Sequence, residues 1–129
     1  EWVCRDDPAH VFYDDVAGPV PGVALVRCGG HFEGSAVLHW PAGADGRGAL
    51  LTGDTIQVVL DRRYVSFMRS YPNLIPMGRA AISAILDRIE PLRFDRVYGG
   101  WWGRNILEDA PDAITASARR YISWADGGE

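Results

Sequence analysis

Three short apolar runs joined by tight connections constrain this chain more than any other feature. They occupy residues 23–28, 35–40 and 49–52, and glycine-rich or turn-rich segments bound them. Runs of this length that are rich in Val, Leu and Ala are typical of β-strands. Because the connections are short, the pattern predicts neighbouring strands that pair antiparallel, as in a meander.

The rest of the chain adds two helices and further strands. Residues 11–16 favour another short strand, and residues 55–76 are expected to form a long loop with many aromatic and basic side chains. Residues 94–98 favour a strand that ends at Gly99-Gly100. Helical spacing is shown by four residues ahead of Pro91, namely Ile82, Ile85, Leu86 and Ile89.

A second helix is expected to start near Pro111 with Asp109 as its N-terminal cap. Its apolar face would consist of Ile114, Ala118, Tyr121 and Ile122. These elements predict an α/β fold in which an antiparallel or mixed sheet is layered with two main helices. We expect residues 1–129 to form a single domain.

Composition limits the class of protein and its partners. The 129 residues suffice for one domain with a hydrophobic core, and the net charge is −4. The 13 basic residues, all Arg, are scattered, which argues against a nucleic-acid or membrane surface. The chain has no long apolar run, its first residues do not resemble a signal peptide, and Cys4 and Cys28 make no disulfide framework. A cytoplasmic location is therefore expected.

Two residues with metal-binding chemistry follow strands that point in the same direction. His31 comes after strand 23–28 and Gly29-Gly30, and Asp54 comes after strand 49–52 and Gly53. Because the strand between them runs the opposite way, both should reach one edge of the sheet. If strand 94–98 joins parallel to strand 49–52, its end also lies there. Functional sites tend to form at such carboxyl ends of strands.

The residue types at this edge point to a metal site. A neutral imidazole and a carboxylate are donors that Zn²⁺, Fe or Mn ions prefer, and one carboxylate can bridge two metals. Glu33 and Ser35 are candidates to support the ligands. Each pattern also has a structural interpretation, because Gly-Gly-His often forms a turn and Gly-Asp is a common strand exit.

The segments Gly30-His31-Phe32-Glu33-Gly34-Ser35 and Leu51-Thr52-Gly53-Asp54 resemble two motifs of the metallo-β-lactamase fold family. In that family a Gly-His segment carries a metal-binding His, and a Thr/Ser-Gly-Asp segment carries the bridging Asp. The order of strands and helices also matches, over the C-terminal half to two-thirds of a family domain. The resemblance implies a partial αββα sandwich with Zn, or Fe or Mn, held by His31 and Asp54.

The implied reaction is hydrolysis of an ester, thioester, amide or phosphoester bond in a small molecule, by water activated at one or two metal ions. The chain departs from the family in two places. The His-x-His-x-Asp-His cluster is absent, since the histidines are His10, His31 and His39. The strand end that carries a last His in the family contains Tyr98-Gly99-Gly100-Trp101-Trp102 instead. The missing ligands lie outside this chain, or the site is degenerate.

Several hypotheses therefore stand beside the hydrolase. In one hypothesis the chain is a non-catalytic module that binds a partner. In another it forms a homo-oligomer through an exposed sheet edge. The segment that contains Arg62 and Arg69 has two interpretations. It is a lid whose Arg side chains bind an anionic substrate group, or it is a loop that packs against the side of the domain. Tyr98 would donate a hydrogen bond at the rim, and Trp101 would line the pocket or a covered surface. We expect His39 and Cys28 in the core and His10 in a solvated loop.

Overall fold

The computed structural model describes residues 5–128, which form a mixed α and β structure. Two helices, α1 (Arg79–Ile89) and α2 (Ala110–Ala125), accompany ten strands. The strands are β1 (Val16–Ala17), β2 (Ala24–Arg27), β3 (Ala36–Trp40), β4 (Ala49–Gly53), β5 (Gln57–Val58), β6 (Val65–Ser66), β7 (Met68–Ser70), β8 (Ile75–Pro76), β9 (Arg96–Gly99) and β10 (Asn105–Ile106).

Six of these strands make one sheet in the order β1-β2-β3-β4-β9-β10. Strands β2, β3 and β4 pair antiparallel, with Leu25 opposite Leu38 and Leu38 opposite Leu51, so the predicted meander is confirmed. Strand β9 pairs parallel with β4. The carboxyl ends of β2, β4 and β9 therefore share one edge of the sheet. We call this edge, formed by residues 29–34, 53–55 and 99–103, the rim.

One face of the sheet packs against both helices. Alternate residues of the central strands, Val26, Val37, Leu50 and Val97, are 0–4% exposed and belong to the main core cluster. The helices contribute buried side chains at helical spacing, as the sequence predicted: Ile82, Ile85, Ile89, Ile114 and Ala118. Removing this apolar surface from water is the main force that holds the helices on the sheet.

The opposite face of the sheet, here the outer face, has a different surface. It carries Leu25, Leu38 and Tyr98, which are half-buried, and Trp40 and Leu51, which are 42% and 41% exposed. Side chains alternate between the faces of a strand, so these residues point away from the core cluster. Large apolar side chains thus lie together on a sheet face that stays open to solvent.

Asp109 occupies the N-terminal cap position of α2, as the sequence predicted, but its side chain does not act as the cap. Its side chain makes no cap hydrogen bond, and its backbone is left-handed with φ of 54°. Asp95 supplies the acceptors instead: its Oδ1 accepts from the Asp109 N–H and its carbonyl from the Ala110 N–H, both at 3.0 Å. The start of α2 is therefore tied to the beginning of β9, which a local cap pattern does not indicate.

Two further predictions about strands are wrong, and one strand was not predicted at all. Residues 55–76 are not a loop, since they contain β5 to β8 in two small antiparallel ladders. Only Val16 of residues 11–16 lies in a strand, and β10 was not expected. These strands have two or three residues each, which is too short for an alternation of apolar and polar side chains to be recognised.

The remaining placements agree with the sequence. Cys28 is buried, and burial raises its pKa to about 11. His39 is buried on the helix side of the sheet, with Nε2 2.9 Å from the Arg93 carbonyl, and His10 is exposed. Cys4 lies outside the described residues. Within residues 5–128, neither helix combines the length and the hydropathy needed to cross a bilayer.

Candidate functional site

The loop that carries His31 has hydrogen bonds between its two ends and packs against the core. The Ser35 carbonyl accepts hydrogen bonds from the Cys28 and Gly29 N–H groups, at 2.8 and 2.9 Å. Gly30 has φ of +84°, and a Cβ there would lie 2.8 Å from Ile85 Cδ1. Such a position requires glycine both for its conformation and for the space it leaves. The loop can therefore lie directly on α1 and hold His31 at the rim.

The ring of His31 is held in one tautomer. Its Nδ1 lies 2.8 Å from the Met68 carbonyl oxygen. A carbonyl only accepts hydrogen bonds, so Nδ1 carries the proton and the Nε2 of the neutral ring keeps a free lone pair. This Nε2 faces the rim, 3.9 Å from Asp54 Oδ2. Ligating histidines usually have this arrangement, in which the second ring nitrogen donates to a carbonyl or a carboxylate.

Asp54 lies in a turn that is stabilised by hydrogen bonds between its own residues. The pairing of β4 with β9 is irregular between Leu51 and Gly53, which lets the chain leave the sheet there. Thr52 Oγ1 then donates to the Ile56 carbonyl at 2.6 Å, and the Thr55 N–H donates to the Thr52 carbonyl. The Asp54 side chain, about half-exposed, projects from this turn toward His31.

The separation of the two side chains can be compared with that of two ligands of one metal ion. The 3.9 Å between His31 Nε2 and Asp54 Oδ2 is too long for a hydrogen bond. Metal–nitrogen and metal–oxygen bonds of about 2.1 Å place two ligands of one ion roughly 3.4 Å apart in tetrahedral geometry. Within residues 5–128, no group of three or more His, Cys, Asp and Glu side chains could hold a metal. The described residues thus bring two potential donors together, fewer than the four that a zinc site uses, and their 3.9 Å separation is about 0.5 Å longer than that of two ligands of one ion.

Tyr71 completes one side of this site, and the sequence did not single it out. Its ring lies over the His31 imidazole, with the centroids 5.4 Å apart, and its hydroxyl is 3.5 Å from the Asp54 carbonyl. Burial, with a smaller effect of the Asp54 charge, raises the pKa of Tyr71 to about 12. The phenol is therefore neutral and able to donate at physiological pH. The aromatic residues of segment 55–76 were the one available signal for it.

Two of the predicted supporting residues do contact the loops of the site. Arg69 Nη1 donates to the Gly30 carbonyl at 3.0 Å, and its side chain is exposed to solvent beside His31. Ser35 is buried, and its Oγ lies 2.6 Å from Thr55 Oγ1. Arg69 is thus placed to meet a charged ligand, whereas Ser35 is placed to hold the loops.

Other predicted residues lie elsewhere. Glu33 lines an open groove with Asp15, Arg27 and Arg88, on the side of α1. Arg62 is exposed at the tip of the β5–β6 hairpin, with φ of 61°. Neither residue is brought into contact with His31 or Asp54.

The turn after β9 adjoins the site through its glycines. Gly100 packs beside the backbone of Gly53, next to Asp54. Trp101 follows and is 62% exposed, and Trp102 is fully exposed. The Tyr98 hydroxyl accepts from Arg96 Nη1 at 3.2 Å, within its own strand. The turn therefore brings apolar surface to the rim but places no metal donor there.

Comparison with known proteins gives one similar sequence. The chain is 45% identical over 123 residues to the uncharacterized protein YmaE of Bacillus subtilis (strain 168). The match covers 95% of this chain but 44% of the relative, so the chain spans less than half of YmaE. No protein-family profile and no solved structure matches the chain.

Proposed function

We propose that this chain is the C-terminal portion of a metal-dependent hydrolase of the metallo-β-lactamase type, with His31 and Asp54 as two of its ligands. The observation that carries the proposal is the hydrogen bond between His31 Nδ1 and the Met68 carbonyl. It fixes the tautomer in which Nε2 is free, and that atom faces the Asp54 carboxylate at a shared rim. His39 also bonds a backbone carbonyl, but His31 differs in that its second ring nitrogen lies beside a carboxylate.

The finer fold that we propose is part of an αββα sandwich, in which the outer face of the sheet packs on a second layer. Its support is the exposure of Trp40 and Leu51 on that face, at 42% and 41%. Further support comes from YmaE, more than half of which lies outside the match. We propose that the remaining metal donors come from such additional polypeptide, and that the protein is cytoplasmic.

When bound, a Zn²⁺, Fe or Mn ion would lower the pKa of a water molecule and polarise the bond to be cleaved. The residues of this chain would bind the metal, cover the ligand and orient the substrate. His31 and Asp54 bind, Tyr71 packs beside the imidazole, and the Arg69 guanidinium is free on its solvent side to orient an anionic group. The substrate is a small molecule with an ester, thioester, amide or phosphoester bond.

The rival proposal is a non-catalytic module that keeps the scaffold and binds a partner at the rim. The observation that favours it is the donor count, because residues 5–128 offer no third donor beside His31 and Asp54. The two proposals differ in one measurable property, which is whether metal binds at this pair.

The test is a titration of the ¹⁵N-labelled chain with Zn²⁺, followed by NMR. Because the described part of this chain supplies only two donors, the titration extends to high Zn²⁺ concentration, and we expect weak but selective shifts of His31 and Asp54 resonances. His31→Ala should remove the shift at Asp54, and Asp54→Asn should remove the shift at His31. His10→Ala is the matched control, because it deletes an exposed imidazole elsewhere and should leave these shifts unchanged. Two outcomes would contradict the metal site and favour the binding module. One is a Zn²⁺-dependent shift of Asp54 that persists in His31→Ala, and the other is the absence of any His31 shift in the unmodified chain.

A further inference from the structure

A buried pair of hydroxyls links the two loops of the candidate site. Ser35 and Thr55 are 3% and 1% exposed, and their hydroxyl oxygens are 2.6 Å apart. Thr55 Oγ1 also lies 3.0 Å from the Ala36 carbonyl. Because that carbonyl can only accept, Thr55 donates to it, and the Ser35 hydroxyl donates to Thr55. The direction of both hydrogen bonds is therefore assigned.

Each member of the pair also closes the loop to which it belongs. The backbone carbonyl of Ser35 accepts from Cys28 and Gly29, at the base of the His31 loop. The backbone N–H of Thr55 donates to the Thr52 carbonyl, across the turn that carries Asp54. Each hydroxyl therefore belongs to a residue whose backbone closes a loop with one of the two donors, and the hydroxyl pair joins these loops.

We infer that Thr55, acting through Ser35, is a positioning residue that sets the distance between His31 Nε2 and Asp54 Oδ2. The link to metal binding rests on the proposed function, whereas the positions of the two loops follow from the hydrogen bonds alone. Neither hydroxyl is exposed, so neither touches a ligand. Metal and substrate sites need their groups held to about 0.5 Å, and short buried hydrogen bonds behind the ligands provide such support.

The experiment compares Thr55→Val, which has nearly the same shape without the hydroxyl, with Thr55→Ser, which keeps it. Ser117→Ala is the control for general destabilisation, because it removes a buried hydrogen bond to the Val65 N–H, away from the rim. We expect Thr55→Val to weaken Zn²⁺ affinity at least tenfold. Thr55→Ser and Ser117→Ala should stay within about twofold of the unmodified chain.

A second readout needs no metal. In the apo chain, Thr55→Val should shift or broaden the His31 ring resonances, which belong to the other loop, whereas Thr55→Ser and Ser117→Ala should leave them unchanged. If the unmodified chain binds no Zn²⁺, the proposed function fails, and this readout still decides the positioning role. A folded Thr55→Val chain with unchanged His31 ring resonances, or with unchanged Zn²⁺ affinity, would overturn the inference.

Discussion

The ring of Tyr71 lies across the imidazole of His31, with the centroids 5.4 Å apart and the planes inclined by 37°. The tilted Tyr71 ring packs beside the imidazole and contributes to the low exposure of the His31 side chain, which is 19%. The ring, more than the hydroxyl, makes this contribution, because the hydroxyl contact with the Asp54 carbonyl is long at 3.5 Å.

We therefore expect Tyr71→Ala to make His31 several-fold more reactive toward diethyl pyrocarbonate, and Tyr71→Phe to change the rate little. Mass spectrometry of peptides containing His31 measures the rate, and exposed His10 in the same sample is the internal reference. Equal rates for Tyr71→Ala and the unmodified chain would show that the ring does not cover the imidazole.

Stability should decline at alkaline pH. Burial raises the pKa of Cys28 to about 11 and that of Tyr71 to about 12, above their ordinary values of 9.0 and 10.0. A raised pKa in the folded state favours the neutral form, so this contribution is complete below pH 9 and is lost as pH rises toward 12. The measurement is urea unfolding at pH 8 and pH 11.

Cys28→Ala and Tyr71→Phe remove the two groups separately. Each variant should lose less stability between pH 8 and pH 11 than the unmodified chain does. If both variants keep the full decline, these two groups are not its source.

Gly30→Ala should destabilise the fold more than the same substitution at Gly22. Both glycines have φ of +84°, but a Cβ at Gly30 would meet Ile85 and Met77, whereas Gly22 has no heavy atom within 4 Å. We expect a cost of about 1 kcal/mol at Gly22 from the backbone alone, and at least about 2 kcal/mol at Gly30. Chemical denaturation measures both, and equal costs would contradict the close packing of the His31 loop on α1.

The two faces of the sheet should respond differently to one substitution in neighbouring residues. Leu50 is fully buried against the helices, and Leu51 is 41% exposed on the outer face. We expect Leu50→Ala to lower the free energy of unfolding by about 2–5 kcal/mol, and Leu51→Ala by less than about 1 kcal/mol. A large loss at Leu51 in urea unfolding, with an oligomer in light scattering, would indicate that copies of this chain cover the outer face.

The sheet and both helices could be predicted because their signals are local. Runs such as 23–28 have strand composition, and Ile82, Ile85 and Ile89 repeat at the helical spacing. The direction of the strands then placed His31 and Asp54 at one edge, and the 3.9 Å between them agrees with that prediction. That His31 and Asp54 bind a metal ion stays a prediction.

What could not be predicted depends on contacts between distant residues. The carbonyl of Met68 fixes the His31 tautomer across 37 positions, and no side-chain pattern reveals a backbone acceptor. Tyr71 and Thr55 gain their roles from short strands and turns that follow β4. At the start of α2, the hydrogen-bond acceptors come from Asp95, which directly precedes β9 and lies 14 positions before Asp109.

The meander β2-β3-β4 has a consequence for the order in which the molecule assembles. Its strands pair with their immediate neighbours in sequence, whereas β5 to β8 and α1 separate β4 from its partner β9 along the chain. Pairings between nearby segments form sooner because less chain entropy is lost when they close. We expect His31 and Asp54 to be brought together early during refolding, before the turn with Trp101 arrives. Pulse-labelling hydrogen exchange should therefore protect the amides of β3 before those of β9.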